Sequence, residues 1–432
     1  MVIVESKKEW EKFMVEFEEN NSIVIPIQCD ENKHPMDTEL CLFYVKLLDG
    51  SLEEYVLPFR HTDAINLKSK YIMMTWTPKD VFTYDKKKLL HFVKWENVYD
   101  VQMNHYMNTN EPLTIDDVTT NAHEYFYRTH YRTKNINCAI PLMKHIEWCR
   151  QLVERLKVGA LGTKSVEKVC DIYNKDVIES LQYIEQSGLQ TTRGKVFGEY
   201  NLYTATGRPS NRFGGINFAA LNKTDGSRKP FVSRFEDGML VEFDYDGYHL
   251  RLIADVLGHE FPKTSVHKHM AKFYGTDYEE SKKLSFQYLY GGAPWDVIQM
   301  STFFTKVNEY VENKWKEYKL KEFIVSDIYN KKIYRKNLSD MNKNKVFNYL
   351  IQLMETENNM RMLTKLIPAI ENYKSKLVLY SYDSFLFDFY LPDGLDFLHK
   401  VKGIIEQSGK FPTKVAKGWN YHGMKDITRK FA

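Results

Sequence analysis

The chain has 432 residues, 43% hydrophobic, 14% aromatic and 27% charged, a globular composition that excludes a disordered polymer. No apolar run approaches the ~18 residues a membrane span needs. Lys and Arg number 60 against 57 Asp and Glu, a net charge of +3, which permits a polyanionic partner if the charges segregate but does not demand one.

A length prior of roughly 150 residues per domain predicts two to four units. The first begins with a helix over residues 4–19, where Trp10, Phe13, Met14 and Phe17 fall at helical spacing, and continues with strands over 22–27, 40–48 and 54–59 and a short helix over 86–93. That alternation predicts an α/β unit in the first ~130 residues. A long helix from Asn137 through Ile146 and Leu156 to about residue 158 links it to the second unit. The five cysteines (Cys29, Cys41, Cys138, Cys149 and Cys170) are widely spaced with no C-x-x-C pair, so they predict reduced, mostly buried thiols and neither a disulfide framework nor a zinc site. The first residues lack a secretory pattern, so the chain is expected to stay inside the cell.

Residues 198–218 are dense in Gly, Asn, Ser and Arg and predict a surface-lining loop or hairpin. Met239–Ile253 then reads as a strand that delivers Asp244, turns at Asp246-Gly247 and enters a helix. Helices are predicted over 278–290, stopped by Gly291-Gly292, over 301–318 and over 343–370. Leu377–Phe389 predicts a β-hairpin with Asp383 at its tip.

Taken singly, each of these residues has a plain structural account. A strand-ending Asp caps the next helix, a hairpin-tip Asp makes a turn, and an aromatic stripe belongs to a core. Jointly they suit phosphoryl transfer. Asp244 and Asp383, brought together, could bind two Mg²⁺ ions roughly 4 Å apart. The helix between them carries Lys282, Phe286 and Tyr290 at i, i+4 and i+8, one face that offers a charge to phosphates and flat rings to a sugar and base.

These residues resemble family A DNA polymerases of bacteria and phages. Asp244-Tyr245 with Leu250-Arg251 is similar to that family's motif A, D-Y-S-x-x-E-L-R. Lys282, Phe286, Tyr290 and Gly291 are similar to motif B, and Tyr382-Asp383-Ser384 stands where motif C reads H-D-E. Thr206-Gly207-Arg208, Ser210 and Asn217 resemble its T-G-R-x-S loop, and Asn348 with Gln352 its N-x3-Q pair. The resemblance implies that Asp244 and Asp383 hold two Mg²⁺, that Lys282 grips the nucleotide phosphates, and that Phe286 and Tyr290 pack on sugar and base. It implies that Arg208, Asn217, Asn348 and Gln352 contact DNA, and that His267 corresponds to a histidine touching the triphosphate, although its spacing to Gly275 is one residue short. Four departures stand out. His249 replaces the motif A Glu beside the ribose, Ser384 the motif C Glu, Gln287 the Gly after Phe286, and Tyr278 the first phosphate-binding Arg, whose part would fall to Arg251, Lys272 or Lys283.

The N-terminal unit resembles the proofreading exonuclease domain of the same family, with its acids depleted. Gln28 and Asp30 stand for the first pair, Asp85 is kept, and Tyr125 replaces the last. With two of four carboxylates, no exonuclease activity is expected.

The resulting expectation is an α+β multidomain chain: an inactive 3′-5′ exonuclease-like α/β domain over 1–133, a linking helix and reduced thumb over 134–200, palm over 201–260, fingers over 261–340 and the second part of the palm over 341–432. The predicted activity is template-directed DNA polymerisation without proofreading, with primer-template DNA and dNTPs as partners and no membrane, in the cytoplasm of a bacterium or phage-infected host. The short thumb predicts weak processivity and a possible processivity partner. Two alternatives stay open: a polymerase that uses rNTPs or starts without a primer, and a catalytically weak primer-template-binding protein.

Overall fold

The computed structural model describes residues 1–31, 33–50, 52–67, 78–111, 113, 140–158, 168–211 and 216–431. Two compact units, Met1–Gln182 and Tyr183–Ala432, partition the chain.

In the first unit, β1 (Val2–Ile3), β2 (Ser22–Gln28), β3 (Leu40–Leu47), β4 (Glu54–Pro58), β5 (Val81–Thr83) and β6 (Val98–Asp100) form one mixed sheet in the order β1-β4-β3-β2-β5-β6. β2, β3 and β4 are successive antiparallel neighbours, and β5 and β6 continue parallel to β2. Helix α1 (Lys7–Glu19) starts at a capping box in which the Ser6 side chain accepts from the Glu9 N–H and Glu9 answers to the Ser6 N–H, a device that stabilises a helix start by ~1 kcal/mol. Its Trp10, Phe13 and Phe17 bury with Val24, Phe43, Val45 and Leu57 on one face of the sheet. Ile23, Ile25, Ile27, Leu42, Tyr44 and Val56 point to the other face, under Ile146, Cys149, Leu152 and Leu156. A strand covered on both faces reads as a continuous apolar run, which is why β2 is buried at every position.

Among the described residues of this unit, the further α-helices include α2 (Lys86–Phe92), α3 (Val101–Thr109), α4 (Leu142–Val158) and α5 (Lys168–Ile172). Helix α4 follows Pro141, which suits a helix start because its missing N–H would have no partner there; residues 137–139 of the predicted linking helix lie outside the described residues. Cys29, Cys41, Cys149 and Cys170 are buried thiols outside any disulfide, as expected; Cys138 and Tyr125 lie outside the described residues.

Helix α6 (Ile178–Ser187) leads into the second unit and the hairpin β7 (Leu189–Thr191) with β8 (Gly194–Val196). A small pair, β9 (Tyr200–Asn201) and β10 (Ser210–Asn211), frames the loop that carries Arg208. The central sheet is antiparallel, in the order β14-β15-β11-β16-β17, built from β11 (Gly238–Tyr245), β14 (Lys376–Ser381), β15 (Ser384–Tyr390), β16 (Thr413–Gly418) and β17 (Lys425–Asp426). Between these strands run α7 (Tyr248–Val256), α8 (Val266–Tyr274), α9 (Tyr278–Gly291), α10 (Trp295–Met300), α11 (Thr302–Leu320), the hairpin β12 (Phe323–Val325) with β13 (Lys332–Tyr334), α12 (Lys343–Ile370) and α13 (Gly394–Ile405). Asp277 and Ser301 cap α9 and α11 through their side chains, which puts both helix starts where the sequence predicts them.

Helix α12 packs against α7, α9, α11 and α13. Its middle is unusual for a core helix, since Glu355, Thr356, Glu357, Asn358 and Asn359 are all buried. Burying so many polar groups is costly unless they are hydrogen-bonded, and the partners of Glu355, Asn358 and Asn359 lie at the site. Among the described residues, no helix is long and apolar enough to cross a membrane.

Candidate active site

β11 runs antiparallel to β15 with Asp244 opposite Ser384. The turn between β14 and β15 consists of Tyr382 and Asp383, and the Asp383 carbonyl accepts from the Tyr245 N–H at 3.0 Å. Asp244 and Asp383 are thereby fixed side by side at one end of the sheet. Tyr382 holds φ +59, a conformation that costs a non-glycine residue about 1–2 kcal/mol. Two contacts offset that strain: the Asn359 side-chain amide donates to the Tyr382 carbonyl at 2.7 Å, and the Arg208 guanidinium lies 3.6 Å over the Tyr382 ring.

By surface area Asp383 is exposed, yet desolvation, reinforced by the negative charges of Asp244 and Glu355, pushes its carboxyl up to about 6. Two carboxylates in that relation favour a cation between them. The exposed ammonium of Lys223 already lies 3.6 Å from Asp244. Two hard-oxygen donors held at one sheet end, Asp244 on β11 and Asp383 in the turn before β15, are the donor type Mg²⁺ prefers, so the residues present fit such an ion.

Above them, α9 presents Tyr278, Lys282, Phe286 and Tyr290 on one face. The rings of Phe286 and Tyr290 are parallel within 3°, with centroids 6.0 Å apart, and Lys282 is exposed one turn before Phe286. His267, in the first turn of α8, is 2% exposed and packs against Phe286 (5.5 Å) and Tyr278 (6.0 Å). The structure therefore brings His267 to this helix face despite its one-residue offset in the sequence. Burial lowers its pKa to about 4, so the ring is neutral.

Beneath the aspartates lies a residue that motif matching passes over. Glu355 is fully buried and accepts from Arg208 Nε at 3.1 Å and Nη2 at 3.0 Å. Its other oxygen meets His249 Nε2, and His249 Nδ1 meets the Tyr290 hydroxyl. Nε2–H donating to Glu355 and Nδ1 accepting from the Tyr290 hydroxyl gives both ring nitrogens a partner. His249, Tyr290 and Arg208 are thus tied to one carboxylate. The only signal for it in the sequence is the polar run Glu355–Asn359 inside an apolar helix pattern. Of that run, Asn358 donates to the Tyr248 hydroxyl at 2.8 Å and Tyr248 donates to Asn359 at 2.6 Å, which fixes α7 to α12.

Arg208, Asn348 and Gln352 line a cleft of about 580 Å³ with Thr206, Lys345 and Tyr382. Asn348 Oδ1 is buried without a hydrogen-bond partner, and Gln352 accepts from Thr206 Oγ1 at 3.4 Å. Asn217 is exposed and follows residues 212–215, which lie outside the described residues; it is not among the described residues that line the cleft. Arg251, expected as a substitute phosphate ligand, serves another purpose: its buried guanidinium donates to the carbonyls of Asp246, Pro262 and Thr264. Lys283 lies 3.7 Å from Glu280 on the exposed side of α9.

In the first unit, Gln28 is buried and its amide donates to the carbonyls of Asp30 and Lys33, both at 2.8 Å. Asp85 caps α2, accepting from the Lys88 N–H at 3.0 Å. Cys41, His61 and His145 cluster in the core, but His61 Nδ1 accepts from the Asp63 N–H at 3.0 Å, which occupies that lone pair and places the proton on Nε2.

No family profile matches the sequence, and no curated protein matches it. Among solved structures, the fold is similar to the POL domain of Pol1 from M. smegmatis, solved in complex with DNA primer-template and dNTP. The likeness has a TM-score of 0.66 at 12% identity and covers 97% of this chain and 99% of that one. At that identity the likeness is one of fold.

Proposed function

We propose that this chain is a template-directed DNA polymerase that adds dNTPs to a primer 3′-hydroxyl. The observation that carries the reading is the pairing of Asp244 and Asp383 at the sheet end, opposite a helix face of Lys282, Phe286 and Tyr290. The fold shared with a primer-template-bound POL domain supports it. In this reading residues 201–260 and 341–432 are the palm, 261–340 the fingers and 134–200 a linking helix with a reduced thumb.

Two Mg²⁺ ions held by Asp244 and Asp383 would supply activation of the attacking hydroxyl and charge stabilisation of the leaving pyrophosphate. The chain's own groups do the rest. Lys282 meets the triphosphate as a point charge. Phe286 and the edge of Tyr290 form a flat wall for sugar and base, and His249, clamped on both ring nitrogens, fills the space beside the ribose. Arg208, Asn348 and Gln352 reach primer-terminal minor-groove edges and backbone, contacts that test base-pair geometry rather than sequence. Lys282→Ala raises the apparent KM for dNTP by about tenfold, the worth of one charge-assisted hydrogen bond, with a smaller effect on kcat; an unchanged KM in steady-state incorporation removes this role.

Residues 1–133 are read as an exonuclease-like domain without activity. What supports this is the use of Gln28 and Asp85 for local backbone hydrogen bonds, where a metal pair would need free carboxylates. One experiment tests both halves. A 5′-labelled primer on a longer template, incubated with Mg²⁺ and dNTPs or rNTPs, is extended with dNTPs, gives short products under single-hit conditions, and is not shortened when nucleotides are omitted. No extension overturns the polymerase reading, 3′ shortening overturns the loss of proofreading, and efficient rNTP use would favour an RNA-synthesising enzyme, a reading that His249 in place of an acid motivates.

A further inference from the structure

Lys414 stands one strand away from Asp244. β16 is antiparallel to β11 with Lys414 directly opposite Asp244, so both side chains leave the same face of the sheet. The Lys414 ammonium donates to the Tyr278 hydroxyl at 2.9 Å and lies 3.1 Å from Asp246 Oδ1.

Asp246 does not need this cation. Its carboxylate accepts from the Val266 N–H at 2.8 Å and from Ser265 Oγ at 3.2 Å, and Arg251 lies 3.9 Å away. The Lys414 side chain meanwhile keeps 45% of its surface exposed. Desolvation works against its charge, but the Tyr278 hydroxyl and Asp246 outweigh that and raise its pKa, so the ammonium is always charged.

Tyr278 and Lys282 sit one turn apart on α9, and the Tyr278 ring touches His267. Lys282 and Lys414 both act on that same imidazole, each opposing its protonation. Two lysines from different elements therefore converge on one corner where Asp246 and Arg251 already offset each other. Lys282, Lys414 and Arg251 outnumber Asp246 here, and Lys414 stands level with Asp244 on the neighbouring strand. His267 adds a neutral ring whose buried Nδ1 has no hydrogen-bond partner, a lone pair or proton still to be matched.

We propose that Lys414 is a polyphosphate-binding residue: with Lys282 and the Tyr278 hydroxyl it brackets the β- and γ-phosphates of the incoming nucleotide. The identity of the ligand as a nucleoside triphosphate rests on the polymerase reading; the polyphosphate site itself does not. The role arises from β16, far along the chain from the helix that carries Lys282, and it supplies the second positive charge that Tyr278 cannot.

The test measures binding of inorganic tripolyphosphate with Mg²⁺ by calorimetry, and dNTP incorporation, in the full chain and in K414A, K414R and Y278R/K414A. K414A weakens tripolyphosphate binding and raises the KM for dNTP by about tenfold, the loss expected for one charge-assisted contact, while primer-template affinity and melting temperature hold. K414R and Y278R/K414A recover most of the affinity, because each restores a cation to the corner; a merely structural role for Lys414 would not be rescued by an arginine at position 278. Unchanged tripolyphosphate affinity in K414A, or failure of both arginine variants to restore it, overturns the proposal. Primer extension by the wild type with unchanged K414A affinity refutes Lys414 alone, whereas tripolyphosphate binding lost in K414A without any extension by the wild type leaves the site standing and refutes the polymerase reading.

Discussion

Asp244→Ala and Asp383→Ala each lower primer extension by on the order of 10³-fold or more, about 4 kcal/mol or more of transition-state stabilisation, while primer-template affinity in a mobility-shift titration stays within about twofold of wild type, the small change expected when no phosphate contact is removed. The two carboxylates differ in what else they do. Asp383 contributes its backbone carbonyl to the Tyr245 N–H, and alanine keeps that bond. Its side chain is pushed up to about 6 by desolvation and by the charges of Asp244 and Glu355, so in Mg²⁺-free buffer at neutral pH the ionised group is a burden on the folded state. A carboxyl with a raised folded pKa contributes stability only at low pH, and that contribution is lost as pH rises through about 6. Asp383→Ala therefore melts no lower than wild type at neutral pH without metal, although it is inactive. Retained extension in either variant would refute the assignment, and a large drop in melting temperature for Asp383→Ala would mean that its loss of activity reports unfolding.

Much of this site was legible because its signals are local. The stripe Tyr278-Lys282-Phe286-Tyr290 follows from helical spacing, the Asp277 cap starts it, and Asp383 falls at a hairpin tip because Lys376–Ser381 and Ser384–Tyr390 are both apolar strands. What escaped depends on pairing across distance. Nothing near Lys414 says that β16 lies beside β11, since strand order is set by the packing of the whole sheet. Arg251 looked available for phosphate because no sequence pattern reports that the carbonyls of Pro262 and Thr264 turn toward it. His267 looked misplaced by one residue because spacing was measured along the chain, whereas the contact with Phe286 is made between two packed helices.

Glu355 belongs to the same class, and its removal is the second large effect expected. Glu355→Leu keeps an apolar volume on α12 but leaves Arg208 and His249 facing it without an acceptor. Breaking one side of a buried ion pair costs about 3–5 kcal/mol; because the Arg208 side chain retains 28% exposure and can turn partly to water, about 2–4 kcal/mol is the better expectation. That should lower the melting transition of the second unit by on the order of 5–12 °C. Glu355→Gln isolates the functional part. The amide keeps the volume and one acceptor, so stability falls less, but it offers only one oxygen where Arg208 and His249 use two. His249 then loses its fixed orientation beside the ribose while Tyr290 still holds Nδ1, and the ratio of kcat/KM for dNTP over rNTP falls in Glu355→Gln by about tenfold, the discrimination carried by a single well-placed contact. Arg208 is loosened at the same time, so extension from a mismatched primer terminus rises with rNTP use rather than independently of it. A Glu355→Gln protein with wild-type sugar discrimination would show that His249 is held by Tyr290 alone and that the buried carboxylate is only structural.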